Sequence, residues 1–175
     1  MDKQLLILDL DETLVHASER PLDREPDSRL GGYFVYRRPF LSEFLAAVRE
    51  WFQVAVWSSA SSHYVHGIVW QIFPDPERLR FVWSRERCTQ RFDPERWDHY
   101  WLKNLRKVKR LGFPLERVLM IDDSAEALRM HYGNHLRLRP FFGEKDDEQL
   151  RRVLPFLQEL CQVENLRTVE KRYWR

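Results

Sequence analysis

Leu5–His16 reads LLILDLDETLVH. Leu5 to Leu8 run without polar alternation into Asp9 and Asp11, which a single leucine separates. A short unbroken apolar run suits a strand buried on both faces, as in a parallel sheet. Such strands carry their chemistry at the carboxyl end, where the loops part and leave a crevice. Packing gives no reason for two carboxylates there, because unpaired buried charge is costly. The pair therefore predicts a compensating group at this edge, and a divalent cation with oxygen ligands suits it.

Two other stretches repeat the pattern. Gln53 to Trp57 is an apolar run that ends in Ser58, Ser59, Ala60, Ser61 and Ser62. Val118 to Ile121 is another, and it runs into Asp122 and Asp123. The first strand is expected over Gln4 to Asp9, and Arg80 to Trp83 and His135 to Leu138 read as further strands. Between them lie helical patterns. Phe40, Leu41, Phe44, Leu45 and Val48 mark one face of a helix opened by Pro39. Tyr64, Val65, Ile68, Val69 and Ile72 mark a second, starting at Ser61 or Ser62 and stopped by Pro74 and Pro76. A third is expected over Leu102 to Leu111, ended by Gly112. A short one capped by Ser124 is expected to run to about Met130. Asp147 to Cys161 reads as an amphipathic helix with Pro155 as a kink or boundary.

Residues 17–32 (ASERPLDREPDSRLGG) carry loop and turn chemistry. With Tyr33 to Tyr36 as a short strand they suggest a small flap over the crevice. Ser84 to Trp97 is highly charged and gives no assignment, and the basic tail LRTVEKRYWR is expected to be partly loose. Trp51, Trp57, Trp70 and Trp83 fit core packing. Alternating strands and helices predict an α/β fold with a central, largely parallel sheet in one domain over residues 1–175. No stretch is long enough for a large cap domain, so the crevice is open or covered only by small insertions. An open crevice admits a macromolecular substrate more readily than a sealed one.

The chain has 175 residues, enough for one substantial core. A net charge of +2 is too small to argue for nucleic acid or membrane by itself. Two cysteines, Cys88 and Cys161, give no disulfide framework and point to a reducing cytoplasm. Neither a signal peptide nor a membrane-spanning run is expected.

The strand ends thus offer Asp9 and Asp11, the hydroxyl of Ser58 (or of Ser59, one position on), and Asp122 with Asp123. Together they make a cation site beside a hydroxyl, a set suited to phosphoryl transfer. An aspartate can serve as nucleophile, and a second carboxyl group can protonate the leaving oxygen and then activate water. His16, His63 and His66 are more often surface or satisfied core residues, and Cys88 reads as a buried structural thiol.

DLDETLVH, RRPFLSEFL, VWSSASSHYV, YWLKNL, VLMIDDS and LPFLQEL occur here in order along nearly the whole chain. The set resembles the haloacid dehalogenase-like (HAD-like) phosphatases, and more narrowly the small carboxyl-terminal-domain phosphatases, also called NLI-interacting-factor-like. The resemblance implies a Rossmann-like HAD fold and a Mg²⁺-dependent phosphomonoesterase with an aspartyl-phosphate intermediate. It implies Asp9 as nucleophile and Mg²⁺ ligand, and Asp11 as general acid/base with its backbone carbonyl on the metal. Thr13 would steady the loop, Ser58 would bind a phosphoryl oxygen, and Lys103 would neutralise the phosphoryl group and nucleophile. Of Asp122 and Asp123, one would sit on the metal, with Asp123 favoured, and the other would orient Lys103. Tyr64 would lie near the substrate groove. Asp123 stands where eukaryotic relatives often have Asn, and Asn104 where they often have Asp.

The implied substrate is phosphoserine or phosphothreonine in protein. The basic residues around Arg78 to Arg91 and Lys103 to Arg110 motivate a second reading, a phosphatase for nucleic-acid phosphate ends or a small metabolite. A non-catalytic binding protein on the same fold is a third, though every expected catalytic position holds a competent residue.

Overall fold

The computed structural model describes residues 3–174. The strands are β1 (Leu5–Leu8), β2 (Val15–Ser18), β3 (Ser28–Leu30), β4 (Tyr33–Arg37), β5 (Gln53–Trp57), β6 (Val82–Trp83), β7 (Thr89–Asp93), β8 (Asp98–Leu102), β9 (Val118–Asp122) and β10 (His135–Arg137). The helices are α1 (Leu41–Trp51), α2 (Ser62–Ile72), α3 (Arg106–Lys109) and α4 (Gln149–Leu160). The central sheet has five strands in the order β10-β9-β1-β5-β6, all parallel.

β1 lies in the middle because all four of its side chains are apolar and both its faces are covered. Leu6 and Leu8 join the core built with α1, α2 and α4. Leu5 and Ile7 join the core on the other face, with Trp57, Met120, Leu105 and Val108. All four are fully buried, which accounts for the absence of polar alternation in LLIL. α1 buries Leu41, Phe44, Leu45 and Val48, as the 3.6-residue spacing predicts. α4 runs through Pro155 without a boundary.

Two insertions stand at the carboxyl edge. β2, β4 and β3 form an antiparallel sheet, so the flap is larger than one short strand, and part of the stretch read as loop over residues 17–32 pairs in it. β7 and β8 form an antiparallel hairpin within the unassigned charged region. Among the described residues no helix is long and apolar enough to cross a membrane.

Four expectations are corrected. The helix over Leu102–Leu111 shrinks to α3, because Leu102 closes β8 and Lys103 lies between the two. No α-helix starts at Ser124; its hydroxyl accepts from Ala127 N at 3.3 Å, and a 3-10 turn occupies residues Arg129–Asn134. Trp70 is 68% exposed, on the outer face of α2, and takes no part in the core. The basic tail is anchored as far as Lys171: Leu166 is fully buried and Lys171 is 6% exposed, while Tyr173 is 79% exposed and Arg175 lies outside the described residues.

Candidate active site

Parallel register brings the three strand ends to one line. Leu8 pairs with Val56 of β5 and with Ile121 of β9, and Asp9 N donates to Ile121 O at 3.0 Å. The chain then turns back tightly, with Leu14 N and Val15 N both donating to Leu10 O. Glu12 takes a left-handed conformation (φ 57°) within this turn. A non-glycine residue in that region is locally strained, and such strain concentrates at functional sites. Buried Arg38 braces the turn, donating to Thr13 O at 3.0 Å and to both carboxylate oxygens of Asp147 at 2.8 Å.

Lys103 is the hub. Its backbone N–H donates to Ala127 O at 2.8 Å, which ties the end of the hairpin to the loop after β9. Its Nζ donates to Asp9 Oδ1 at 2.6 Å and to Asp122 Oδ2 at 2.7 Å. Thr13 Oγ1 donates to Asp9 Oδ2 at 3.1 Å. Asp122 Oδ1 accepts from Ser124 N at 2.8 Å, and His135 Nε2 sits 2.9 Å from the Asp122 carbonyl. Arg137 Nε donates to the Asp123 carbonyl at 2.8 Å, leaving the Asp123 carboxylate facing the cluster.

Carboxylate oxygens of Asp9, Asp122 and Asp123 lie within 4.8 Å of one another. Three carboxylates against one ammonium leave an excess of two negative charges at a buried edge. The acid–base balance reflects this. Burial drives the Asp9 carboxyl well above its ordinary value, although Lys103 opposes the shift. Burial and the neighbouring Asp122 push Asp123 up to about 6. Burial alone would discharge Lys103, but Asp122 and Asp9 outweigh it and hold the ammonium above the ordinary lysine value. A compact set of hard oxygen donors with two surplus negative charges fits Mg²⁺. Among the described residues this trio is the only such cluster.

Asp11 stands apart from the trio. Its Oδ1 accepts a hydrogen bond from the Tyr64 hydroxyl, so any part it takes in holding a metal falls to its main-chain carbonyl. Burial raises the Asp11 carboxyl above its ordinary value. Burial and the Asp11 charge also keep the Tyr64 phenol protonated, so Tyr64 is the donor of this pair. Asp11, Tyr64, Tyr33 and Arg85 line a cavity of about 450 Å³ that opens beside the carboxylates.

Ser58 directly follows β5, almost fully buried, and its Oγ accepts from Ala60 N at 3.0 Å, which leaves the hydroxyl proton available. Ser59 turns its carbonyl to Arg85 Nε at 2.7 Å. The Cys88 thiol is buried and pushed up by that burial, in keeping with a structural role. His16 pairs with Glu12 at 3.1 Å, and no histidine joins the carboxylate trio.

Asp9, Thr13, Lys103, Asp122 and Asp123 thus converge, with Asp11 and Tyr64 alongside and Ser58 just past the end of the neighbouring strand. Sequence reading missed Arg85, His135 and Arg137. Arg85 lies in a charged stretch without periodicity. His135 and Arg137 act on backbone carbonyls, which leave no trace in residue type.

An open parallel sheet with acids after its first and fourth strands in chain order, a serine between them and a lysine from an insertion defines a HAD-like fold. The chain belongs to the NLI interacting factor-like phosphatase family, whose model matches residues 4–167. It is 31% identical over 173 residues to a probable C-terminal domain small phosphatase of Dictyostelium discoideum, covering 94% of this chain and 53% of that protein. It is 28% identical over 180 residues to the human carboxy-terminal domain RNA polymerase II polypeptide A small phosphatase 1, covering 96% and 63%. The fold superposes on fission yeast RNA polymerase II CTD phosphatase Fcp1, bound to beryllium fluoride, with TM-score 0.61 and 17% identity, over 93% of this chain and 52% of that one. The chain spans about half the length of several curated relatives that it matches.

Proposed function

We propose that the chain is a Mg²⁺-dependent phosphomonoesterase that works through an aspartyl-phosphate on Asp9 and acts on phosphoserine or phosphothreonine in protein. The observation that carries this reading is the Lys103 ammonium shared between Asp9 and Asp122, with Asp11 held separately by Tyr64. This arrangement supports one carboxylate as nucleophile and another as proton donor.

In the first step an Asp9 oxygen attacks phosphorus, a phosphorus–oxygen bond forms, and the ester bond breaks. Asp11, whose carboxyl burial raises above its ordinary value, gives its proton to the departing alkoxide. In the second step Asp11 takes a proton from the water that attacks phosphorus, which releases phosphate and frees Asp9. Lys103 and the Ser58 hydroxyl hold the phosphoryl oxygens, with Ser59 as the neighbouring alternative. Thr13 fixes the unengaged Asp9 oxygen, and Asp122 holds Lys103 in place. Asp9, Asp123 and the Asp11 carbonyl would hold Mg²⁺, which would offset charge on the phosphoryl oxygens.

A protein substrate is favoured because the cavity beside Asp11 is walled by Tyr33 and Tyr64, whose rings meet edge-on at 5.7 Å. Such a wall suits an apolar side chain next to the phosphorylated residue. The nucleic-acid reading loses support because Arg78 and Arg80 line a cavity with Lys3 and Gln53, at the amino end of the sheet and away from Asp9. Side-by-side hydrolysis of a phosphopeptide and a phosphate-ended oligonucleotide tests the choice. Faster turnover of the peptide is expected. Faster turnover of the oligonucleotide, falling steeply with salt, would reverse it.

A further inference from the structure

The tail beyond the part matched by the family model builds a second, separate site. Gly133 lies against the tail, where an added Cβ would come 3.3 Å from Arg167 O. This close approach leaves a cavity of about 740 Å³ between the 3-10 turn, β10 and residues 167–172. Arg137, Arg167, Lys171 and Arg172 line it, with Glu170 the one carboxylate.

The charges in this wall are not balanced. Glu170 is already engaged by Arg172, Nη2 to Oε2 at 2.6 Å. Among the described residues no carboxylate lies within 4.0 Å of the cationic atoms of Arg137, Arg167 or Lys171. Lys171 is the most telling of these. It is 6% exposed, and its Nζ donates to the carbonyls of Leu166 at 2.5 Å and Val169 at 2.8 Å. An ammonium has three donors, so one is left over, and the one carboxylate that acts on it, Glu170, is shared with Arg172. Arg137 spends its Nε on the Asp123 carbonyl and lines the cavity beside it. Guanidinium groups around a buried ammonium are the usual means of holding a phosphate.

We propose that this cavity is an anion site that takes a phosphate group, separate from the catalytic carboxylates. Its volume exceeds that of a bare phosphate, which fits a phosphate carried on a larger molecule such as a phosphopeptide. The alternative source is free inorganic phosphate. The site goes beyond the proposed catalytic reading and does not depend on it.

The test is calorimetric titration of inorganic phosphate into the full chain without Mg²⁺, where the catalytic crevice is anionic and repels the probe. Wild type is expected to bind one phosphate, more weakly as salt rises. Arg167→Glu, an exposed substitution, is expected to weaken binding by roughly tenfold or more. Asp9→Asn is expected to leave binding unchanged. No binding by wild type, equal binding by Arg167→Glu, or loss in Asp9→Asn would each overturn the site. A labelled phosphopeptide assigns the source: tighter binding than inorganic phosphate points to a phosphorylated chain, and equal binding to the free ion. A protein without phosphatase activity that passes this test would remove the catalytic reading and leave the anion site standing.

Discussion

The ammonium of Lys103 lies 2.6 Å from Oδ1 of Asp9, across 94 residues of sequence. With Asp122 on its other side, this buried lysine is held by two carboxylates that need it as much as it needs them. Lys103→Met leaves both acids buried without their counter-charge. Breaking one side of a buried ion pair costs about 3–5 kcal/mol. We expect a loss of that size in metal-free denaturant unfolding, together with loss of turnover. Unaltered stability would show that the pair is far more hydrated than its burial indicates.

The Asp11 carboxyl group sits outside the trio of Asp9, Asp122 and Asp123, against Tyr64. Asp11→Asn should therefore keep the fold and the affinity for Mg²⁺. Removing a general acid typically costs roughly 10²–10⁴-fold in rate, and that fall is expected in kcat for a phosphoserine peptide. An aryl phosphate, whose leaving group needs less protonation, should lose less. Equal losses on both substrates would take the acid role from Asp11.

The Asp123 carboxyl is pushed up to about 6 by burial and by Asp122, from the ordinary value of 3.8. Between those values the metal-free fold binds a proton that the unfolded chain does not. Its contribution to stability is therefore complete below 3.8 and is lost as pH rises through about 6. Without metal, Asp123→Asn should melt above wild type at pH 7, and the gap should close toward pH 4. Mg²⁺ should stabilise wild type more than the variant at pH 7. A gap that does not change with pH would remove Asp123 from the anionic cluster.

Arg38 joins the turn after β1 to the start of α4 through Thr13 O and Asp147. Its side chain is fully buried. Arg38→Met should destabilise by about 3–5 kcal/mol, since it strands Asp147 and the Thr13 carbonyl. The same measurement should show weaker Mg²⁺ binding, because the turn carrying Asp9 to Thr13 loses its brace.

Sequence reading reached the parts of this fold that burial dictates. LLIL, QVAVW and VLMI are covered on both faces, so their unbroken apolarity identifies strands, and the polar residues that follow them are where chemistry can sit. It failed where burial does not speak. β7 and β8 carry TQRFD and DHYWL, with Leu102 their one buried residue, and the hairpin has no hydrophobic period to find. Residues 124–130 looked helical because Ser124 is a good cap. The carbonyl of Ala127 instead accepts from Lys103 N, a tertiary demand that no local propensity encodes. Which of Asp122 and Asp123 pairs with Lys103 was not fixed by residue type, because both are the same, and Lys103 bonds Asp122.

The central claim is that Asp9 carries the phosphoryl group. The direct test is hydrolysis of an aryl phosphate by wild type and Asp9→Asn, each with Mg²⁺ and with chelator, with the fold of the variant checked by its melting curve. The account predicts turnover by wild type with Mg²⁺ only, and none by the folded variant in either condition. Turnover by Asp9→Asn at the wild-type rate, or by wild type in chelator, would contradict it.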